Sequence, residues 1–276
     1  MAKNELTKVN ETENEVALLE EMALDAGQGF EEQSAEDYSI PFLDILQGNS
    51  PELNTLEGAR PGMILNKVTG DLYDGKKGIA FVPAYTRHVF VEWKPREAGG
   101  GYVGEHALDS DLVKHVRTTQ PMGKYRTPDG NELIETFYVY GVLVRDDGAE
   151  EQCVIAFTST KIGPYKSWMT KARSIQIVLP DGRRINPALF AHRYRLKTVF
   201  IEKNNYKWHN WQISFDGDKA EDCRISPKSS TYAVAKATAE VVRSNKAKVN
   251  YDQSREAANP GEGSGVSELV GEDPPF

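Results

Sequence analysis

Long apolar runs are missing from this chain: none approaches the roughly 18 residues of a membrane-spanning helix. Met1 to Asn10 are polar and hold no apolar segment of the kind a secretory signal needs, so a cytoplasmic protein with no membrane partner is expected. Cysteine is scarce. Cys153 and Cys223 stand seventy residues apart, which excludes a disulfide framework and a CxxC metal knuckle and predicts two reduced thiols. Catalytic signatures are also missing. Gly75-Lys76-Lys77-Gly78 has neither the earlier glycine nor the following Ser/Thr of a phosphate loop. Gly99-Gly100-Gly101-Tyr102-Val103-Gly104 fits a dinucleotide glycine pattern, but no strand leads into it and no acid follows at the ribose position. The five histidines show no ligand spacing. The aspartates Asp71, Asp74, Asp109, Asp111, Asp216 and Asp218 sit among turn residues, where Asp serves the backbone. Hence no cofactor, no metal and no catalytic residue are expected, and the reading is of a protein that is not an enzyme.

Acid is the most unevenly distributed residue class. Residues 1–37 carry two lysines against eleven acids, and residues 251–276 carry one arginine against six. The middle, 38–250, holds thirty basic and twenty-four acidic residues, so a body of net +6 lies between ends of −9 and −5. A cationic body implies a polyanionic partner. The depletion is sharpest between Phe157 and Phe215, where eleven Lys/Arg face only Asp181 and Glu202, interleaved with ten aromatic residues.

Patterning divides the chain into an acidic N-terminal arm (1–37) read as disordered, a folded body (38–250), and a flexible acidic tail (251–276) led by the linker-like Ala258 to Gly265. Within the body, strands are predicted at Met63 to Lys67, Ile79 to Pro83, Tyr85 to Trp93, Leu133 to Arg145 and Gln152 to Thr158. Hairpins are predicted around Asp146-Asp147-Gly148, Pro180-Asp181-Gly182 and Asn204-Asn205. A short helix is expected at Asp111 to Arg117, a helical segment broken by Gly163-Pro164 at Thr160 to Ala172, and a strong helix at Ser229 to Ser244 capped by Ser229 or Ser230. The fold class predicted is mainly β, a β-rich α+β protein: an OB-like twisted antiparallel barrel with hairpin extensions and one C-terminal helix.

Aromatic rings stack on the bases of single strands without reading sequence, and cations between them neutralise phosphates. On that logic Tyr165, Lys166, Trp168, Lys171, Arg173, Arg193, Arg195, Lys197, Lys203, Tyr206, Lys207 and Trp208 are the expected nucleic-acid-binding residues. Tyr165, Trp168, Tyr206 and Trp208 are read as exposed stacking rings because they border Lys, Gly-Pro or Asn-Asn, whereas Phe157, Phe200 and Phe215 are read as core.

The chain ends Glu272-Asp273-Pro274-Pro275-Phe276, acids followed by an aromatic residue. This ending resembles the C-terminal tip of phage-type single-stranded DNA-binding proteins. The resemblance implies an OB-fold body that coats single strands. It also implies a tip that docks on replication, recombination and repair proteins, with Phe276 as anchor, Pro275 as its rigid neighbour and Glu272 and Asp273 as the acidic lead. The resulting expectation is a protein that protects single-stranded DNA in phage-like replication or recombination, in the host cytoplasm, with a homo-oligomer left open. Strand annealing, a metal-dependent nuclease and a virion structural role are the alternatives.

Overall fold

The computed structural model describes residues 40–244 together with Met22, Leu24 and Gln28. The chain divides into two compact units, Met1–Tyr38 and Ser39–Phe276, and the described body belongs to the second.

One strand organises that body. Ile79–Trp93 (β4) runs unbroken for 15 residues where the sequence suggests two shorter strands. Pro83 does not end it, because the ladder to the next strand shifts register between Pro83 and Tyr85. A bulge is one of the few places inside a sheet where proline is tolerated. The bulge also changes which residues point to each face: Phe81 lies opposite Leu143 before it, and His88 lies opposite Phe137 after it.

Six further strands complete this sheet: β5 (Tyr102–His106), β6 (Tyr125–Arg126), β7 (Glu132–Val144), β8 (Glu150–Thr158) and the hairpin β11 (Tyr194–Lys203) and β12 (Tyr206–Phe215). The seven-stranded antiparallel sheet has the order β12-β11-β4-β7-β6, with β5 on the far half of β4 and β8 on β7. Gly141 in β7 is required by close approach. A methyl group there would lie 2.4 Å from the Val82 carbonyl oxygen and 2.5 Å from the Phe81 ring. Beside the main sheet lie a three-stranded one, β1 (Leu43–Ile45), β2 (Ile64–Asn66) and β3 (Leu72–Tyr73), and a two-stranded one, β9 (Ile177–Val178) with β10 (Arg184–Ile185).

Three helices cover the faces: α1 (Asp111–Thr119), α2 (Ile162–Ser174) and α3 (Ser230–Arg243). Ser110 Oγ caps α1 by accepting from Val113 N, and Ser229 Oγ caps α3 by accepting from Tyr232 N. Gly163-Pro164 does not break α2. It occupies the first turn, where backbone N–H groups have no helical partner and proline removes nothing. Tyr165, Trp168 and Met169 of α2 pack with Phe81, Phe137, Val139, Phe157 and Tyr194 on one sheet face. Val113 and Val116 of α1 pack with Phe90, Tyr125 and Leu133 further along that face. Ala235, Ala239 and Val242 of α3 cover the opposite face over Val82, Val142 and Val89.

The OB-like barrel is not present. The sheet is open, and the fold is mixed α/β with several sheets and helices. No ladder joins β8 to β12. Both edges are engaged by the segment around β1 instead. Val154 N donates to Pro41 O at 2.9 Å and Phe42 bridges Val154. On the other side the Gln47 side-chain amide imitates a strand, with Nε2 2.9 Å from His209 O and Oε1 2.8 Å from His209 N. Hairpin and alternation signals are local, and none of them encodes whether the outer strands of a sheet meet.

Candidate nucleic-acid interface

The residues expected to bind nucleic acid separate into buried rings and exposed cations. On α2 the apolar positions Tyr165, Trp168, Met169 and Ala172 recur at helical spacing and face the sheet. Trp168 is 2% exposed and packs against Tyr194, Phe81 and Phe157 at 5.3, 6.1 and 6.1 Å between ring centroids. Tyr165 is also buried, against Phe137 and Phe157, and Trp208 is 9% exposed. None of these three is an open stacking platform, which corrects the reading made from their neighbours in sequence. Burial holds the Tyr165 hydroxyl above its usual range, while Thr86 bonds to it and Arg173 lies close enough to oppose the shift.

The exposed rings are elsewhere. Beyond Leu196, β11 no longer pairs with β4, and only β12 accompanies it. Phe200, 53% exposed, and Tyr206, 42% exposed, stand on this free part of the hairpin. Phe200 thus exchanges roles with Trp168. The turn uses positive φ at Asn204 and Asn205, the two-residue form favoured between twisted strands. Thr198 holds the base of the arm, its N–H bonding Gly75 O at 2.8 Å and its hydroxyl bonding Gly62 O at 2.5 Å.

Among the eleven basic residues of 157–215, five meet carboxylates. Lys161 pairs with Asp44 at 2.6 Å, Arg183 with Asp181 at 2.6 Å, and Lys207 with Glu202 at 3.3 Å. Arg193 and Arg195 converge on one carboxylate, Asp216, with Arg195 Nε 2.7 Å away. Of the three cations expected to bind along β11, Arg193 and Arg195 therefore share one carboxylate, that of a residue that reads as a turn aspartate in the sequence, and Lys197 has no ion pair among the described residues. Lys166, Lys171, Arg173, Arg184, Lys197 and Lys203 form no ion pair among the described residues. Lys166, Lys171 and Arg173 share α2, which contains no acid, and all three are exposed. Asn186 ties the β9–β10 hairpin to the end of α2 by donating to Arg173 O at 2.8 Å and Ile175 O at 3.2 Å, which brings Arg184 to the same region. Glu272, Asp273, Pro275 and Phe276 lie outside the described residues.

A second polar group occupies the strip of sheet between α1 and α2. His88 and Glu135 point to the face that both helices cover, and each side chain is a little under one-third exposed, so neither helix closes over them. His88 Nε2 is 2.9 Å from Glu135 Oε1. That hydrogen bond first, then the charges of His88, Lys166 on α2 and Arg117 on α1, hold the Glu135 carboxyl below its ordinary 4.5 against the opposing effect of burial. These residues are far apart in sequence and were not foreseen. The available signal was an acid in the otherwise apolar alternation Leu133, Glu135, Phe137, Val139. A depressed folded-state pKa contributes stability that is present above the unfolded value and lost as pH falls through the folded one. Glu135→Gln is expected to lower the melting temperature at pH 7, with the difference from wild type narrowing as the pH falls below the ordinary carboxyl value of 4.5. A gap that does not narrow in acid would show that the ionised carboxylate contributes nothing.

His106 and Glu92 form a similar contact at 2.6 Å, with Asn131 Nδ2 2.6 Å from the other Glu92 oxygen. Among the described residues no three His, Cys, Asp or Glu side chains gather as a metal cage, and no helix is long and apolar enough to cross a membrane.

The decisive comparison covers nearly all of the body. The chain belongs to the Pam3 phage gp34-like protein family, which it matches over residues 9–248. No curated protein and no solved structure matches it. The expected membership among phage-type single-stranded DNA-binding proteins is corrected. That likeness rested on residues 272–276, outside the matched span, and the OB-fold barrel it implied is not formed. The phage association itself stands.

Proposed function

We propose that this protein binds nucleic acid, single-stranded DNA being the expected form, through the phosphate backbone and without catalysis, in the host cell cytoplasm. One observation carries the reading: α2 presents Lys166, Lys171 and Arg173 to solvent with no acid on the helix and no ion-pair partner among the described residues. A surface that only confers solubility mixes both signs of charge. Cations near the end of a helix also favour its dipole, but that role needs neither three of them nor the adjoining Arg184. The exposed Phe200 and Tyr206 offer two rings for unpaired bases, a contact that duplex DNA does not provide.

The test is fluorescence anisotropy of a labelled oligothymidylate, titrated with protein at several salt concentrations. Four engaged cations give a slope of about −3 for log Kobs against log salt, near 0.7 per phosphate on a single strand. A duplex of equal length should bind less tightly. Absence of salt-sensitive binding to either would refute the reading and leave a structural role in the phage particle.

A further inference from the structure

A row of three rings begins in the core and ends in the open strip. Tyr165 is tilted by 32° against Phe137 with centroids 4.6 Å apart, and Phe137 is stacked on the His88 imidazole at 3.8 Å and 21° between planes. Tyr165 and Phe137 are buried, whereas 28% of the His88 side chain remains exposed. An ion pair with Glu135 requires only the ring nitrogen. It does not require the imidazole to lie parallel to a phenyl ring, which is the arrangement that offset π stacking favours. The surroundings of His88 hold three further chemical functions. The Glu135 carboxylate takes the His88 hydrogen bond on Oε1, and the charges of Lys166 on α2 and Arg117 on α1 act on that carboxylate.

We propose that His88 is a shelf for one nucleobase. A base entering the strip between α1 and α2 extends the Phe137–His88 stack by one ring. Its exocyclic or ring N–H can donate to Glu135, and the flanking phosphates meet Lys166 and Arg117. This inference rests on the nucleic-acid reading and adds to it a specific position at which a base, rather than a phosphate, is held. It also assigns a role to a cation, Arg117, that lies outside the basic stretch of the sequence.

The experiment compares wild type, His88→Ala and His88→Phe on two ligands: an oligothymidylate, and the same oligonucleotide with its bases replaced by abasic tetrahydrofuran units. Removing the shelf is expected to weaken thymidylate binding about tenfold, the loss of one stacked base, with the salt slope unchanged because no phosphate contact is lost. His88→Phe keeps a ring face and should remain within about threefold of wild type. On the abasic ligand all three proteins should bind alike. Melting curves confirm that the variants are folded, and His88→Phe provides the test if His88→Ala is not. Equal thymidylate binding by wild type and His88→Ala overturns the shelf while leaving the nucleic-acid reading intact. A wild-type protein that binds neither ligand overturns both. A His88→Ala defect that is equal on both ligands shows a charge contact and also overturns the shelf.

Discussion

Trp168→Ala is expected to destabilise the body by about 3–5 kcal/mol, the cost of emptying a buried aromatic site, read as a lower denaturant midpoint and melting temperature. The ring is 2% exposed and touches Phe81, Phe157 and Tyr194, so its removal opens a cavity at the junction of α2, β4, β8 and β11. The collapse of that junction would be shared by strands that are distant in sequence, which limits how far any one of them can relax to fill it. Trp168→Phe should cost far less. The indole N–H is buried without a hydrogen-bond partner among the described residues, so the smaller ring loses packing and no bond. The contrast separates packing from recognition. If Trp168→Ala left stability unchanged and removed nucleic-acid binding, the ring would be an exposed platform and the packing described for α2 would be wrong.

The second large effect is on binding. Replacing Lys166, Lys171 and Arg173 together by alanine is expected to reduce oligothymidylate affinity about five-hundredfold at 50 mM salt and to flatten the salt slope by about 2. Both numbers follow from three lost phosphate contacts at about 0.7 released counterions each. Stability should change by no more than about 0.5 kcal/mol per site, because all three side chains are exposed and alanine is an excellent helix former. A triple variant that binds with wild-type affinity and slope would move the interface away from α2. The hairpin arm, with Lys197, Lys203, Phe200 and Tyr206, would then be the next surface to test.

Much of this protein was legible residue by residue. The strand pattern of 133–145, the turn at Asn204-Asn205 and the serine cap of α3 each depend on a few neighbouring residues, and each appears where the sequence places it. The site was less legible. Tyr165 and Trp168 border a glycine, a proline and lysines, which suggests exposed rings beside a break in a helical segment. Their spacing with Met169 and Ala172 marks one face of a helix, and the helical period prevails because α2 starts at Ile162 and takes Gly163-Pro164 into its first turn. Phe200 shows the converse. It lies in an apolar run, Thr198-Val199-Phe200-Ile201, yet it is open because β4 ceases to accompany β11 at that point.

The sequence by itself determined the local periods, the caps and turns, the excess of cations over acids between Phe157 and Phe215, and the separation of charge between the middle and the ends. Those properties depend on composition and near neighbours, and no folding changes them. Only the tertiary structure decided that the sheet stays open, that Arg193 and Arg195 share Asp216, that the tryptophans serve the core, and that His88 meets Glu135 across 47 residues. Each of these is a contact between segments distant in sequence, set by which edges pair and which helix covers which face. Burial and ion pairing reward such contacts only after the chain has closed the intervening loops, so no single segment carries a record of them.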